Sequence, residues 1–151
     1  MNDGISSYLS SLGMSRPVEE RVLQLLADYR ELLGAEIKDA FISEYVSGEA
    51  GRVFESLFAF TDELIMEAKI SEEAGDRLDF VPLRRSVRHW IIEKRDYDLR
   101  TAEEPSRISM EVWLADSRVA NLRASGPNCA ALVRIGATYI RPNLAALSSG
   151  G

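Results

Sequence analysis

The chain has one cysteine, one histidine and no excess of positive charge, and each scarcity removes a class of function. The lone Cys129 makes no internal disulfide, so nothing in the sequence asks for an oxidising compartment. One histidine and one cysteine do not make a zinc site of the usual kind, and no metal is expected. No stretch approaches the ~18 consecutive apolar residues of a membrane span. Met1-Asn2-Asp3-Gly4 is not basic and leads into no long apolar run, so no secretory signal is expected and the default location is the cytoplasm. Lysine and arginine total 18 against 24 aspartates and glutamates. A net charge of −6 argues against general nucleic-acid binding, which cancels phosphate charge with cations. Neither G-x-x-x-x-G-K-[ST] nor G-x-G-x-x-G occurs, so no nucleotide site is indicated and no cofactor is implied.

What is there suits one folded domain. A chain of 151 residues falls at the commonest domain size and can bury roughly two-thirds of its unfolded surface. Apolar residues make up 46% and charged residues 28%, which excludes wholesale disorder. Charge is unevenly spread. Residues 1–83 hold 7 cationic against 17 acidic side chains, whereas residues 84–151 hold 11 against 7.

Residues 1–15 are rich in Ser and Gly and read as a mobile tail, with at most one helical turn. Residues 16–34 form the N-terminal helix: Val18, Val22, Leu25, Leu26, Tyr29, Leu32 and Leu33 recur at steps of three and four. Pro17 suits a first turn, Glu19 and Glu20 face the positive dipole end, and Gly34 is a stop signal. The stripe must lie on the chain's own sheet or on a partner. After Gly34 the period shortens to two. Residues 36–46 read as a strand, with a helix left open, and residues 47–51 turn into a returning strand over 52–60. Thr61-Asp62 leads to a strand over 63–70, with Leu64, Met66, Ala68 and Ile70 on one side and Glu63, Glu67 and Lys69 on the other. A turn over 72–76 precedes a short strand over 79–83, where Pro82 suits an edge or a bend. A longer strand spans 87–99 and a polar loop 101–106. Residues 107–114 alternate cleanly, Ile108, Met110, Val112 and Leu114 inward and Arg107, Ser109 and Glu111 outward. A further strand covers 117–124. Ser125 or Gly126 caps a terminal helix that buries Leu132, Val133, Ile135, Tyr139 and Ile140 and ends at Pro142, leaving 143–151 as a tail.

One helix, seven antiparallel strands joined by short connections and a terminal helix make an α+β, mostly β chain. A sheet of seven twisted strands tends to curl and close. This layout, with Phe58-Ala59-Phe60-Thr61-Asp62-Glu63-Leu64-Ile65-Met66 and Phe80-Val81-Pro82-Leu83-Arg84-Arg85-Ser86-Val87, resembles the pleckstrin-homology-like barrel superfamily over residues 36–142. The resemblance implies a seven-stranded antiparallel barrel with a C-terminal capping helix over residues 35–142, to which the N-terminal amphipathic helix is an addition. Two departures stand out. Trp90 and Trp113 both fall on strands, whereas eukaryotic members carry a tryptophan in the terminal helix. The first hairpin offers only Lys38 and Arg52, with Glu44 and Glu49 between them, where lipid-reading members carry several cations. That points to a divergent member rather than a lipid reader.

No catalytic residue is expected. His89 lies mid-strand with no nearby Ser or Cys motif, and Cys129 beside Ala130 and Ala131 reads as a small packing residue rather than a reactive thiol. Asp96-Tyr97-Asp98 lacks the alternating oxygen ligands of a calcium loop and reads as a solvated strand end. The recognition candidate is the cluster Arg84, Arg85, Arg88, His89, Lys94 and Arg95, suited to an anion or an acidic peptide, although alternation splits it between two faces. Leu25, Tyr29 and Leu32 are candidates for self-association as a homodimer. The expected function is a non-catalytic module for protein–protein interaction. Binding to anionic lipid or inositol phosphate at a membrane surface is one alternative. A small-ligand carrier or enzyme on a helix-plus-curved-sheet cone fold, which needs an apolar cavity, is the other.

Overall fold

In the computed structural model, residues 3–47, 51–70, 77–95, 107–115 and 117–145 are described. The turns expected over 47–51 and 72–76, the 101–106 loop, Asp96-Tyr97-Asp98 and the far end of the 87–99 strand lie wholly or partly outside them. Two helices lead, α1 (Asp3–Ser11) and α2 (Arg16–Leu33). Seven strands follow: β1 (Asp39–Ser47), β2 (Gly51–Phe60), β3 (Leu64–Lys69), β4 (Leu78–Pro82), β5 (Val87–Arg95), β6 (Arg107–Leu114) and β7 (Val119–Ser125). The described chain closes with α3 (Asn128–Ile135), a π-helical turn (Gly136–Ile140) and a 3₁₀ turn (Arg141–Asn143).

The strands form two antiparallel sheets, β1-β2-β3-β4 and β5-β6-β7, each in sequence order. The first is buried on both faces, and the register shows how. Ala40, Ala59, Met66 and Phe80 make one cross-strand row, and Ile42, Leu57, Ala68 and Leu78 the next; both rows face the helical layer. Phe41, Phe58, Phe60, Ile65 and Val81 point the other way, into a second core shared with β6, β7, α3 and the π turn. The strand over 63–70 was expected to place Glu63, Glu67 and Lys69 on the side opposite Leu64, Met66, Ala68 and Ile70. Ile65 and Val81 instead fill the opposite face, because the second sheet covers it.

Helix α2 starts with Pro17 in its first turn and stops at Gly34, whose φ of 63° needs no side chain and whose N–H donates to the Arg30 carbonyl. Its stripe lies on the chain's own sheet: Val22, Leu25, Leu26 and Tyr29 are buried, and the Tyr29 and Phe80 rings meet edge to face at 5.9 Å. Within the segment 1–15 expected as a mobile tail, Asp3–Ser11 is instead helical. Ile5, Leu9 and Leu12 recur at helical spacing and are buried in the same core, while serines fill the outer face. The strand over 107–114 buries Ile108, Met110, Val112 and Leu114 as read from the sequence. On α3, Leu132 and Ile135 are buried but Val133 faces solvent; on the π turn that follows, Ile140 is buried and Tyr139 stacks on Phe60 at 4.7 Å. Pro127 rather than Ser125 or Gly126 occupies the cap position. Just past Pro142 the described chain stays docked, Asn143 accepting from the Arg85 N–H and Leu144 bridging Val87.

Candidate functional site

The expected cationic cluster divides. Arg84 and Arg85 sit in the turn before β5, where Arg85 adopts a φ of 53° and its N–H donates to Asn143 Oδ1 at 3.3 Å. Arg88 occupies the bulge at the start of β5, next to His89. Lys94 and Arg95 lie at the other end of the strand, about 20 Å away at ~3.3 Å per residue. Lys94 pairs with Ile108 and Arg95 with Arg107, so the two point to opposite faces. All six are exposed, but they form no single site.

Pairing builds a different site on the outer face of β5-β6-β7. Arg95, Arg107 and Ser125 form its first cross-strand row. Glu93, Ser109 and Arg123 form the second, Ile91, Glu111 and Asn121 the third, and His89, Trp113 and Val119 the fourth. A groove of about 460 Å³ runs over the first three rows, with Glu44 and Tyr45 of β1 at its side. Arg107 and Arg123 were absent from the sequence candidates. Alternation in β6 gave Arg107 an outward position, but only the 95↔107 and 109↔123 pairings bring the cations together.

The groove's β1 wall is fixed by a buried polar network. The register of β1 with β2 shifts between Ser43 and Glu44, leaving Glu55 of β2 without a cross-strand partner on β1, and both Ser43 and Glu44 bond to β7. Ser43 Oγ accepts from the Arg123 N–H at 2.9 Å, and Glu44 Oε1 accepts from the Ser125 N–H at 3.1 Å and from the Ser125 hydroxyl. Arg52 grips Glu44 with Nε at 2.9 Å and Nη2 at 2.7 Å, and its Nη1 donates to the Leu12 carbonyl at 2.7 Å. Asn128 Nδ2 donates to Glu44 Oε2 and to the Ile42 carbonyl. The Tyr8 hydroxyl donates to Asn128 Oδ1 at 2.7 Å and accepts from the Ile42 N–H at 2.9 Å. Burial pushes the Tyr8 phenol far above its ordinary range, so it stays a neutral donor. Every group of this network has a partner, which makes it a structural tie joining α1, both sheets and α3.

Two other concavities mark the surface. One of about 280 Å³ lies where the sheets meet, over Phe58, Ile65, Val81 and Leu114, with Glu67, Asp79, Arg77 and Arg118 at its rim. Burial, with the Asp79 charge adding to it, raises the Glu67 carboxyl, while Asp79 is held by Arg118 at 2.8 Å. Among the described residues its lining holds no Ser, Thr, Cys or His nucleophile for that carboxyl to activate. The other, about 730 Å³, lies between Ile5 of α1, Leu23 and Ala27 of α2, and Ile37. Cys129 is buried and burial raises its thiol, so it is protonated at neutral pH. Among the described residues no group of three or more His, Cys, Asp or Glu could hold a metal ion. The self-association candidates also separate: Leu25 and Tyr29 are buried in the chain's own core, and only Leu32, 66% exposed, faces solvent.

No protein-family model, no curated protein and no solved structure matches this chain. Among the described residues no helix is long and apolar enough to cross a membrane.

Proposed function

We propose that the chain is a non-catalytic interaction module that binds an acidic segment of a protein partner over the outer face of β5-β6-β7. The observation that carries this reading is the direct cross-strand pairing of Arg95 with Arg107, with Arg123 in the next row of the same groove. Exposed guanidinium groups gathered along one groove can form charge-assisted, two-pronged hydrogen bonds with an incoming carboxylate. The Glu93 carboxylate reaches Arg95 at 2.7 Å and that of Glu55 lies 3.9 Å from Arg123, but both are surface pairs, weak enough to be displaced. The pleckstrin-homology-like barrel is part of the proposal. Its support is the four-plus-three strand order, the side-chain bridges from β1 to β7 and the helix after β7. A cytoplasmic location accompanies it.

Titration with tetraglutamate at low salt tests the site. Saturable binding that weakens as salt rises and is lost in Arg95→Ala/Arg107→Ala, but persists in Arg84→Ala/Arg85→Ala, is expected. Binding that survives the first pair of changes and disappears in the second removes the proposed site. A second reading draws on Arg84, Arg85 and Arg88, exposed together at the corner where β5 begins: attachment to anionic lipid. It requires sedimentation with phosphatidylserine vesicles that Arg84→Ala/Arg85→Ala abolishes.

A further inference from the structure

We infer that the outer face of β5-β6-β7 reads its partner with a direction: acidic residues over the Arg95–Arg107 row, and an apolar residue over the Trp113 row at the other end. The inference rests on the reading of this face as the recognition surface and adds the pattern that the partner must carry.

The four rows grade along the strands. The first holds two cations and the second Arg123 beside Glu93. The third places Glu111 between Ile91 and Asn121, and the fourth sets Trp113 between His89 and Val119. Trp113 is 40% exposed, one of the few large apolar side chains in the described structure left open to water. An indole half in solvent next to Val119 offers apolar area that an incoming aliphatic or aromatic side chain would cover. Tyr45, 42% exposed, stands beside the cationic end and can pack against the stems of acidic side chains there.

Glu111 sets the pattern between the ends. A continuous run of acids laid along the groove would bring one of them onto Glu111, two rows from Arg107, and be repelled. A neutral or basic residue at that point is accepted. From Arg107 to Trp113 is six residues along one strand, about 20 Å, which an extended partner segment also spans in about six residues. The occupant is therefore an extended protein segment of the form acid–neutral–apolar.

The test uses the full chain and four blocked octapeptides: two glutamates followed by six serines, two glutamates then four serines then two leucines, the reverse order of that second peptide, and octaglutamate. Affinity is read by calorimetry, and the environment of Trp113 by its indole N–H signal in an NMR spectrum, assigned by its disappearance in Trp113→Ser. One of the two leucine-containing orders is expected to bind about tenfold more tightly than the serine-only peptide. It should also shift the Trp113 indole signal, and octaglutamate should not be the tightest. In Trp113→Ser the advantage of the leucine peptide should disappear while binding of the serine-only peptide stays. Equal affinity for the serine-only and leucine peptides, or a tightest complex with octaglutamate, overturns the directional inference and leaves the acidic-segment reading intact. No binding by any of the four overturns both.

Discussion

Replacing Arg52 with alanine should be among the most damaging single changes outside the apolar cores, because it strips the counter-charge from a carboxylate with no exposed surface. The Glu44 side chain is 0% exposed, whereas that of Arg52 is 33% exposed. Removing one partner of a fully buried pair costs about 3–5 kcal/mol. Water reaching the Arg52 site lowers that figure, as do the Ser125 and Asn128 donors that Glu44 keeps. The Leu12 carbonyl losing its charged donor raises it again. A loss of about 3 kcal/mol results, which in a chain of this length lowers Tm by roughly 6–12 °C. Urea unfolding followed by circular dichroism reads the change, with the midpoint falling and the slope unchanged. Arg52→Lys should fall between, since an ammonium does not reproduce the two-pronged grip. Arg16→Ala breaks an exposed pair on α2 and should cost about 0.5 kcal/mol or less. An Arg52→Ala protein as stable as the parent would refute the claim that this network ties α1 to the sheets.

Three further outcomes follow from packing and titration. Leu25→Ala should cost about 2–5 kcal/mol in urea unfolding, and Leu32→Ala close to nothing, because only the first lies in the core. Gly136→Ala sets helix propensity against space: alanine is favoured in a helix by about 1 kcal/mol, but its Cβ would lie 2.8 Å from Trp90 Cζ2 and 3.0 Å from Met110 Cε. Overpacking should win, with a net loss of about 1–2 kcal/mol by thermal unfolding; a stabilised protein would show that Trp90 can shift. Glu67 holds its proton more tightly folded than unfolded, so its contribution is fully present below the ordinary glutamate range and fades as pH rises through its raised folded value. Glu67→Gln should accordingly raise Tm at pH 7 and converge with the parent near pH 4; a Tm difference independent of pH would contradict this.

Strand order, the α2 stripe and the alternation in β6 were all legible because each is carried by local period. Helix α1 was not. Its spacing of Ile5, Leu9 and Leu12 is helical, but Ser6, Ser7, Ser10 and Ser11 hide it in a composition that reads as a tail. Only tertiary burial, with Tyr8 and Leu12 bonded into the network, favours the helix. The double-sided burial of the first sheet was also missed, since Glu67 on the Ile65 side suggests solvent. Of the groove's cations only Arg95 was a candidate in the sequence, and Arg107 and Arg123 could not be joined to it, because the 95↔107 register spans residues 96–106, and neither period nor composition fixes how two strands align across such a gap. Leu25 and Tyr29 were offered for self-association because a stripe does not say what covers it; α2 lies on the chain's own sheet.

The most direct test is a map of backbone amide shifts in a ¹⁵N spectrum as tetraglutamate is added. Shifts concentrated at Arg95, Arg107, Ser109, Arg123 and Ser125, with the Arg84-Arg85 turn and α2 unmoved, are the expected result. Shifts centred on that turn, on the rim around Glu67 and Asp79, or on the groove beside Ile5 and Leu23 would place recognition elsewhere and contradict the proposed site.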